Sequence, residues 1–428
     1  MKYALVNPNW DFRGSTYFGC REPHYPLELM FAGQVIREAG HECLLVDAQL
    51  DRLNATETKR RVDAFVPDFL VIPTAPSYLF WRCPPPEVRV PKEWFAALGG
   101  KAVTVAIGPH TSATPRTAIR KMSAQVAMRG EADFTLARLA SEDWTTIEGC
   151  CYRDQDGDHI SSTLGIADMQ RLRALEFADY NVEARTHRHH VFTGEGRGGE
   201  LEFARGCPWS CNFCNKTLFR NQFRERKVED VLAEVDRLVE RGVDYIYFID
   251  EIFGVGRNVR RLLGGLAERK VQIGFQSRID LWDEESLDLL GRAHAISMEC
   301  GIESITDDGR NELNKNCRMT TERLTELLVY ARHHIPWVQA NLILTERDDK
   351  EDIRRWQEHL KAQGVWVSEP VPMFPYPGTP QYTQMWGTPD DLAWERAHQY
   401  YTSTFSGLGY SDIQEQNPVR LEDLECTC

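Results

Sequence analysis

The chain has 428 residues, of which 42% are hydrophobic and 27% charged, with a formal charge of −14. That length suits two domains better than one, and the composition is that of an ordinary globular protein. The acidic balance argues against a nucleic-acid partner, whose phosphates need a basic field. No apolar run is long enough to span a bilayer, and Met1 leads into a strand-like run without a basic and apolar leader. The twelve cysteines then fit a reducing cytoplasm, where thiols serve metals or stay buried.

Residues 2–7 form a short apolar run ending at Pro8-Asn9. A helical pattern over 27–39 places Leu27, Met30, Phe31, Val35 and Ala39 on one side and closes at Gly40. A strand at 42–46, a charged helix near 57–65, a strand at 69–73, a helix around 92–98, a strand at 102–107, a helix at 118–122 and a strand at 126–128 come next. This alternation predicts a doubly wound parallel sheet of flavodoxin-like size over 1–144. Ligands of such sheets sit beyond the carboxyl ends of the strands. The unusual loops collect there: 7–14, the aromatic and proline-rich 74–86, 108–115 and 130–133.

The alternation breaks over 145–197. Residues 148–153, a turn at 154–158 and residues 159–162 read as a β-hairpin followed by a linker. His187, His189 and His190 read as a solvated or locally packed loop, because no two fall on one helix face at metal-ligand spacing. Residues 194–199 read as a flexible approach to the cysteine-rich loop at 205–215.

A strand at 202–204 leads into R-G-C-P-W-S-C-N-F-C-N, residues 205–215, which places Cys207, Cys211 and Cys214 in a C-x3-C-x2-C spacing. A structural zinc normally takes four protein ligands, whereas closely spaced thiolates hold iron–sulfur clusters. A zinc knuckle or scattered structural cysteines stay open on the triplet alone. Cys20, Cys43, Cys83, Cys300 and Cys317 read as packing residues, and Cys150, Cys151, Cys426 and Cys428 are ambiguous.

Downstream, 227–242 is the clearest helix, with Val228, Val231, Leu232, Val235, Leu238 and Val239 on one face. Strands at 244–249, 271–277, 296–301, 338–344 and 365–371 alternate with helices at 259–268, 284–293, 308–315, 322–332 and 352–361. With 202–204 this makes six β/α units over 198–380, too few to close an eight-stranded barrel and right for a partial (β/α)6 barrel. Sites of barrel sheets lie at the C-terminal strand ends. Asp250 and Glu251 end the second strand, where two acids need partners or cap the next helix. Ser277 and Arg278 end the third, and Glu303 the fourth. P-Y-P-G-T-P at 375–380 is a rigid turn. From 381 onward Trp386, Trp394, Tyr400, Tyr401 and Phe405 either cap the barrel mouth and meet substrate, or simply pack.

The cysteine triplet, with Phe213 just before the third cysteine, resembles the signature of radical S-adenosylmethionine (SAM) enzymes. With the loops of the first domain, the whole chain resembles the cobalamin-dependent members of that family. The resemblance implies a 4Fe–4S cluster on the three cysteines, its open iron taking the amino and carboxylate groups of SAM. It assigns Phe213, Asp250, Glu251, Ser277, Arg278 and Glu303 to SAM. It assigns Asn9, Thr74, Ser77, Tyr78, Gly108, His110, Gly130 and Glu131 to cobalamin. The D-x-H-x-x-G motif that ligates cobalt from below in methionine-synthase-type domains is absent, so the resemblance implies cobalt without a protein imidazole; a vestigial domain is the alternative. The implied reaction is C-methylation of an unactivated carbon in a small molecule, sugar or lipid intermediate, fed by an external one-electron reductant of flavodoxin or ferredoxin type. Rearrangement or cyclisation without net methylation, and an iron–sulfur sensor, are the rival readings.

Overall fold

The apolar run at the N-terminus becomes β1 (Lys2–Asn7), the centre of a sheet completed by β2 (Glu42–Asp47), β3 (Phe69–Pro73), β4 (Val103–Ile107), β5 (Val126–Met128), β6 (Cys150–Asp154) and β7 (Gly157–His159). Their order is β2-β1-β3-β4-β5-β6-β7. The first five are parallel, in the flavodoxin-like order. All five residues of β3 are buried, as a parallel strand covered on both faces requires. The helix Ala55–Phe65 starts at a capping box, with Asn54 Oδ1 accepting from the Glu57 amide at 3.0 Å and Glu57 Oε2 from the Asn54 amide at 2.9 Å.

In this computed structural model, contacts divide the chain into Met1–Asp168 with the segment from Phe374 onward, and Met169–Met373. Residues 1–10, 23–77, 84–86, 88–178, 180–185, 196–218, 220 and 222–406 are described. The hairpin expected in the inter-domain stretch forms, but it extends the first sheet: β6 pairs antiparallel with β5, and β7 with β6. Cys150 and Cys151 are buried by that pairing, which covers the edge that the three-residue β5 leaves open.

Of the C-terminal aromatics, Trp386, Trp394 and Tyr401 pack within the first unit, Tyr400 is exposed, and the side chain of Phe405 lies outside the described residues. Phe374, Tyr376, Tyr382 and Trp394 form a core with Ala393 and Ala397, and Trp386 and Tyr401 pack against it. Trp394 donates to Thr114 Oγ1 at 3.1 Å, and Lys121 pairs with Glu395. This helix (Ala393–Ser406) therefore belongs to the first unit.

The second unit holds β8 (Gly198–Leu201), the two-residue pair β9 (Ala204–Arg205) and β10 (Arg224–Glu225), then β11 (Tyr245–Phe248), β12 (Gln272–Ser277), β13 (Ala295–Glu303), β14 (Trp337–Leu342) and β15 (Trp366–Val367). Its main sheet runs β8-β11-β12-β13-β14-β15, all parallel and in sequence order. That is the six-stranded partial barrel expected. The first strand is displaced from 202–204 to 198–201, because the glycines read as flexible are the strand itself. All four of its residues are buried, and the neighbouring Gly196 has no room for a side chain, since a Cβ would lie 2.4 Å from an Asp244 carboxylate oxygen. The helix Val228–Glu240 buries Val228, Val231, Val235 and Leu238 as the periodicity requires, together with Glu234, which pairs with buried Arg226. No helix among the described residues is long and apolar enough to cross a membrane.

Candidate functional site

The cysteine loop leaves the end of β9 through Gly206, whose φ of +84° favours glycine. A Cβ there would lie 2.1 Å from the Gln222 carbonyl oxygen. The loop is pinned on several sides. The Gly206 amide donates to Glu251 Oε2 at 2.6 Å, and the Cys207 amide to the Arg220 carbonyl at 3.1 Å. Lys216 Nζ, on a buried side chain, donates to the carbonyls of Cys207, at 2.5 Å, and of Trp209. From below, the Asn212 amide donates to the Leu313 carbonyl at 3.1 Å and Asn314 Nδ2 to the Ser210 carbonyl at 2.6 Å.

Burial pushes the thiol of Cys214 up to about 12, and those of Cys207 and Cys211 upward as well. Each of the three lies in the electrostatic field of another, and Lys216 opposes the rise at all three. Among the described residues no three His, Cys, Asp or Glu side chains are drawn close enough to hold a single metal ion. Three soft thiol donors on one loop suit iron–sulfur chemistry. Since ligating thiols must lose their protons, the two lysines facing the loop, Lys216 and Lys315, supply the compensating charge.

The strand-end residues divide into two roles. Asp250 accepts from the backbone amides of Phe203, at 2.8 Å, and Ala204, at 2.9 Å. It is buried, and desolvation, opposed by these bonds and reinforced by Glu202 and Glu251, holds its pKa well above the usual range. Its work is to brace the chain entering the cysteine loop. Glu251 does the same through Gly206 and Arg220, the latter donating at 2.5 Å. Ser277 donates to the Phe253 carbonyl at 2.6 Å and accepts from Trp282 Nε1 at 2.9 Å, which fixes the end of β12.

Arg278 and Glu303 gather with Lys315 in the field of Cys211. The Arg278 fork is engaged: it donates to both oxygens of Asp280, at 2.9 and 2.6 Å, and to the Lys315 carbonyl at 2.8 Å, and it stacks over Trp209 at 4.5 Å. Asp280 lies below the usual carboxylate range; burial works against this, and the Arg278 bond and charge outweigh it. Glu303 stands at a bulge with φ +69° and accepts from Lys315 Nζ at 3.2 Å. Phe213 is half-buried within the loop. Trp209, Lys216 and Lys315 were not singled out in the sequence. Lys216, two residues beyond the third cysteine, carried a readable signal, and Lys315, a single lysine in N-K-N, did not.

In the first unit, Gly108, Gly130 and Glu131 line one pocket with Glu28, Ile107, Ala132 and Asp133, beyond the carboxyl ends of β4 and β5. Ser112 Oγ ties its floor by donating to the Gly108 carbonyl, 2.8 Å, and accepting the Gly130 amide, 2.9 Å. Glu131 also accepts from the Ala167 amide at 2.6 Å. His110 and Thr74 are joined to each other at 3.1 Å, and His110 Nε2 lies 2.8 Å from the Pro85 carbonyl while its ring packs on Trp394. Ser77, three residues beyond Thr74, is buried, and Asn9 Nδ2 donates to the Leu53 carbonyl at 3.5 Å. Tyr78, the histidines at 187, 189 and 190, and Cys20, Cys83, Cys426 and Cys428 lie outside the described residues.

The model of the radical SAM superfamily matches residues 201–357, which hold the cysteine loop and the four barrel strands β11 to β14. That segment is a radical SAM domain. It is 23% identical over 416 residues to an anaerobic magnesium-protoporphyrin IX monomethyl ester cyclase of Cereibacter sphaeroides, covering 90% of this chain but 64% of that relative. It is 26% identical over 382 residues to the hopanoid C-3 methylase of Methylococcus capsulatus, covering 83% of this chain and 67% of the relative. The radical SAM methyltransferase TsrM of Kitasatospora setae, solved with cobalamin and a [4Fe-4S] cluster, superposes with a TM-score of 0.67 at 16% identity, over 89% of this chain and 76% of that one. At that identity the shared property is the fold.

Burial drives the pKa of His110 down to about 3, so the ring is neutral in the folded unit. The unfolded chain takes up a proton near pH 6.5 that the folded one refuses. Stability from this residue is therefore complete above pH 6.5 and falls as the pH drops toward 3. Between pH 7 and pH 5 the wild type should lose about 2 kcal/mol more than His110→Gln, read by denaturant unfolding at both pH values. Parallel pH dependence in the two proteins would contradict it.

Proposed function

We propose that this chain is a cobalamin-dependent radical SAM C-methyltransferase acting on a small molecule. The observation that carries the reading is the presence, in one chain, of a three-thiol loop on a partial barrel and a flavodoxin-order sheet with a pocket at its carboxyl edge. The hopanoid C-3 methylase and TsrM, both methylating proteins by name, support it. In this reading Cys207, Cys211 and Cys214 hold three irons of a 4Fe–4S cluster, and Glu303 and Lys315 face SAM beside them. The residues around Gly108, Gly130 and Glu131 would meet one edge of cobalamin, their neighbouring carboxylates Glu28, Glu131 and Asp133 suited to the amide donors that fringe the corrin. His110, its ring engaged by Thr74 and Trp394, would line that site without offering an imidazole to the cobalt.

When bound, these groups supply a 5′-deoxyadenosyl radical for hydrogen abstraction and a methyl group for the carbon so activated. The protein's share is positioning. Asp250 and Glu251 fix the cysteine loop on the strand ends, Lys216 and Lys315 offset thiolate charge, and Arg278 clamps the loop through Trp209. Electrons come from an external one-electron reductant of flavodoxin or ferredoxin type, in a reducing cytoplasm that keeps the thiols available. The charge of −14 weighs against a nucleic-acid substrate. The cyclase relative, which matches 90% of this chain, favours ring closure as the second reading.

Anaerobic incubation of cobalamin-loaded protein with trideuteromethyl-SAM, dithionite and a cell extract separates the two. Methyl transfer gives a trideuterated product, with 5′-deoxyadenosine and S-adenosylhomocysteine formed together. Deoxyadenosine without S-adenosylhomocysteine would establish cyclisation or rearrangement instead, and neither compound would end the radical SAM reading.

A further inference from the structure

The barrel strands alternate in an unusual sense. Parallel barrels are ordinarily filled by bulky branched apolar side chains. Here the apolar residues of β12, β13 and β14 (Phe275, Met298, Cys300, Val338 and Ala340) are at most 1% exposed, and the residues between them are Gln276, Ser297, Glu299, Gly301, Gln339 and Asn341.

Hydrogen bonds identify the polar face as the concave one. Tyr247 Oη donates to Glu299 Oε1 at 2.7 Å, and Tyr245 Oη lies 3.3 Å from Ser297 Oγ. Both pairs join β11 to β13, which have β12 between them. Strands two apart are separated by roughly 9–10 Å, so their side chains meet only where the sheet curves inward. Gly274 on β12 leaves the gap they cross, since a Cβ there would come 2.2 Å from both Ser297 Oγ and Tyr245 Oη. One layer higher, Gln276 Nε2 donates to Glu299 Oε2 at 3.1 Å, and Gln339 Nε2 to Asn341 Oδ1 at 2.7 Å. Gln276, Gly301, Gln339 and Asn341 keep partial exposure, so the layer below the cysteine loop is a partly open surface of amides organised around the buried Glu299 carboxylate.

We infer that the lumen takes a polar substrate bearing several hydroxyl or amide groups, of the sugar or nucleoside kind, held by Glu299, Gln276 and Asn341. An apolar polycycle would leave the remaining donors and acceptors of these amides, those not spent on one another, without partners, at a cost that disfavours such a guest. A site lined to hydrogen-bond its substrate also rejects analogues that lack the partner groups far more strongly than a greasy pocket rejects a missing methylene. This substrate class rests on the radical SAM reading, and deepens it by choosing among small molecule, sugar and lipid.

The test separates a cell extract into aqueous-methanol and chloroform phases and adds each to the reduced, cobalamin-loaded protein with trideuteromethyl-SAM. The aqueous phase should raise 5′-deoxyadenosine formation and give the labelled product. Glu299→Gln and Asn341→Leu should each lower that stimulation roughly 10- to 100-fold while retaining the cluster's visible absorption. Met298→Leu, on the opposite face of the same strand, should respond as the wild type does. Stimulation by the chloroform phase, by neither phase, or by the aqueous phase equally in both variants would overturn the inference. Absence of any 5′-deoxyadenosine without extract would instead count against the radical SAM reading itself.

Discussion

Replacing any one of Cys207, Cys211 or Cys214 by alanine should abolish cluster binding and with it the reductive cleavage of SAM. Wild-type protein reconstituted without oxygen should hold about four irons, and each variant close to none. The expectation rests on how little else the loop offers. The side chains around it include the cationic Lys216, Arg278, Lys315 and Arg220, and among the described residues the nearby carboxylates Asp250, Glu251 and Glu303 are committed to backbone amides and to Lys315. The fold should survive, because the loop is held by Gly206, Asn212, Asn314 and Lys216 rather than by the thiols. Circular dichroism and unfolding midpoints near those of the wild type would show this. A triple variant that still formed 5′-deoxyadenosine under dithionite would refute the assignment of the cluster.

Both sheets were legible because each rests on a local signal. The helix Val228–Glu240 announces itself through valines and leucines at helical spacing, and the six barrel strands come in sequence order, so adjacent strands in the chain are adjacent in space. The cysteine triplet is equally local. What failed to show was set by long-range pairing. Gly198 and Gly199 look like a flexible approach until β11 is laid beside them. The hairpin's attachment to β5 depends on an edge that its own sequence does not reveal. Trp394 reads as a mouth-capping aromatic until Thr114 and His110, about 280 residues away in the chain, are brought beneath it. The engagement of Arg278 with Asp280 could have been anticipated from the R-x-D spacing, whereas its stacking on Trp209 could not.

The lumen was legible in principle and was passed over. S-M-E-C-G in β13 and W-V-Q-A-N in β14 carry polar residues at every second position. That is the ordinary signature of a half-exposed strand, and in a parallel α/β barrel whose outer face is covered by helices the exposed half can only be the inner one. The rule that sites lie at strand ends points to Asp250, Ser277 and Glu303. The structure gives the first two scaffolding bonds, and places Glu299 and Asn341 on the concave face below.

Lys216→Met should be nearly as damaging to the cluster as loss of a cysteine, although Lys216 ligates nothing. Its ammonium reaches the carbonyls of Cys207 and Trp209, tying together the first turn of the loop on which two of the three thiols depend. Methionine fills the same space without a donor, leaving two carbonyls without the ammonium at about 1–3 kcal/mol each. It also removes the positive charge that opposes the upward shift of all three thiols. Three thiolates must form before irons can be held, so the loss acts on loop geometry and on charge in the same direction. Iron content after reconstitution and the rate of 5′-deoxyadenosine formation should each fall at least about 10-fold, in line with the loss of a ligand-orienting partner. The barrel strands make no use of this side chain, so the far-ultraviolet circular dichroism should stay that of the wild type. A Lys216→Met protein that loads iron fully and cleaves SAM at the wild-type rate would show that the loop is held by its other bonds alone.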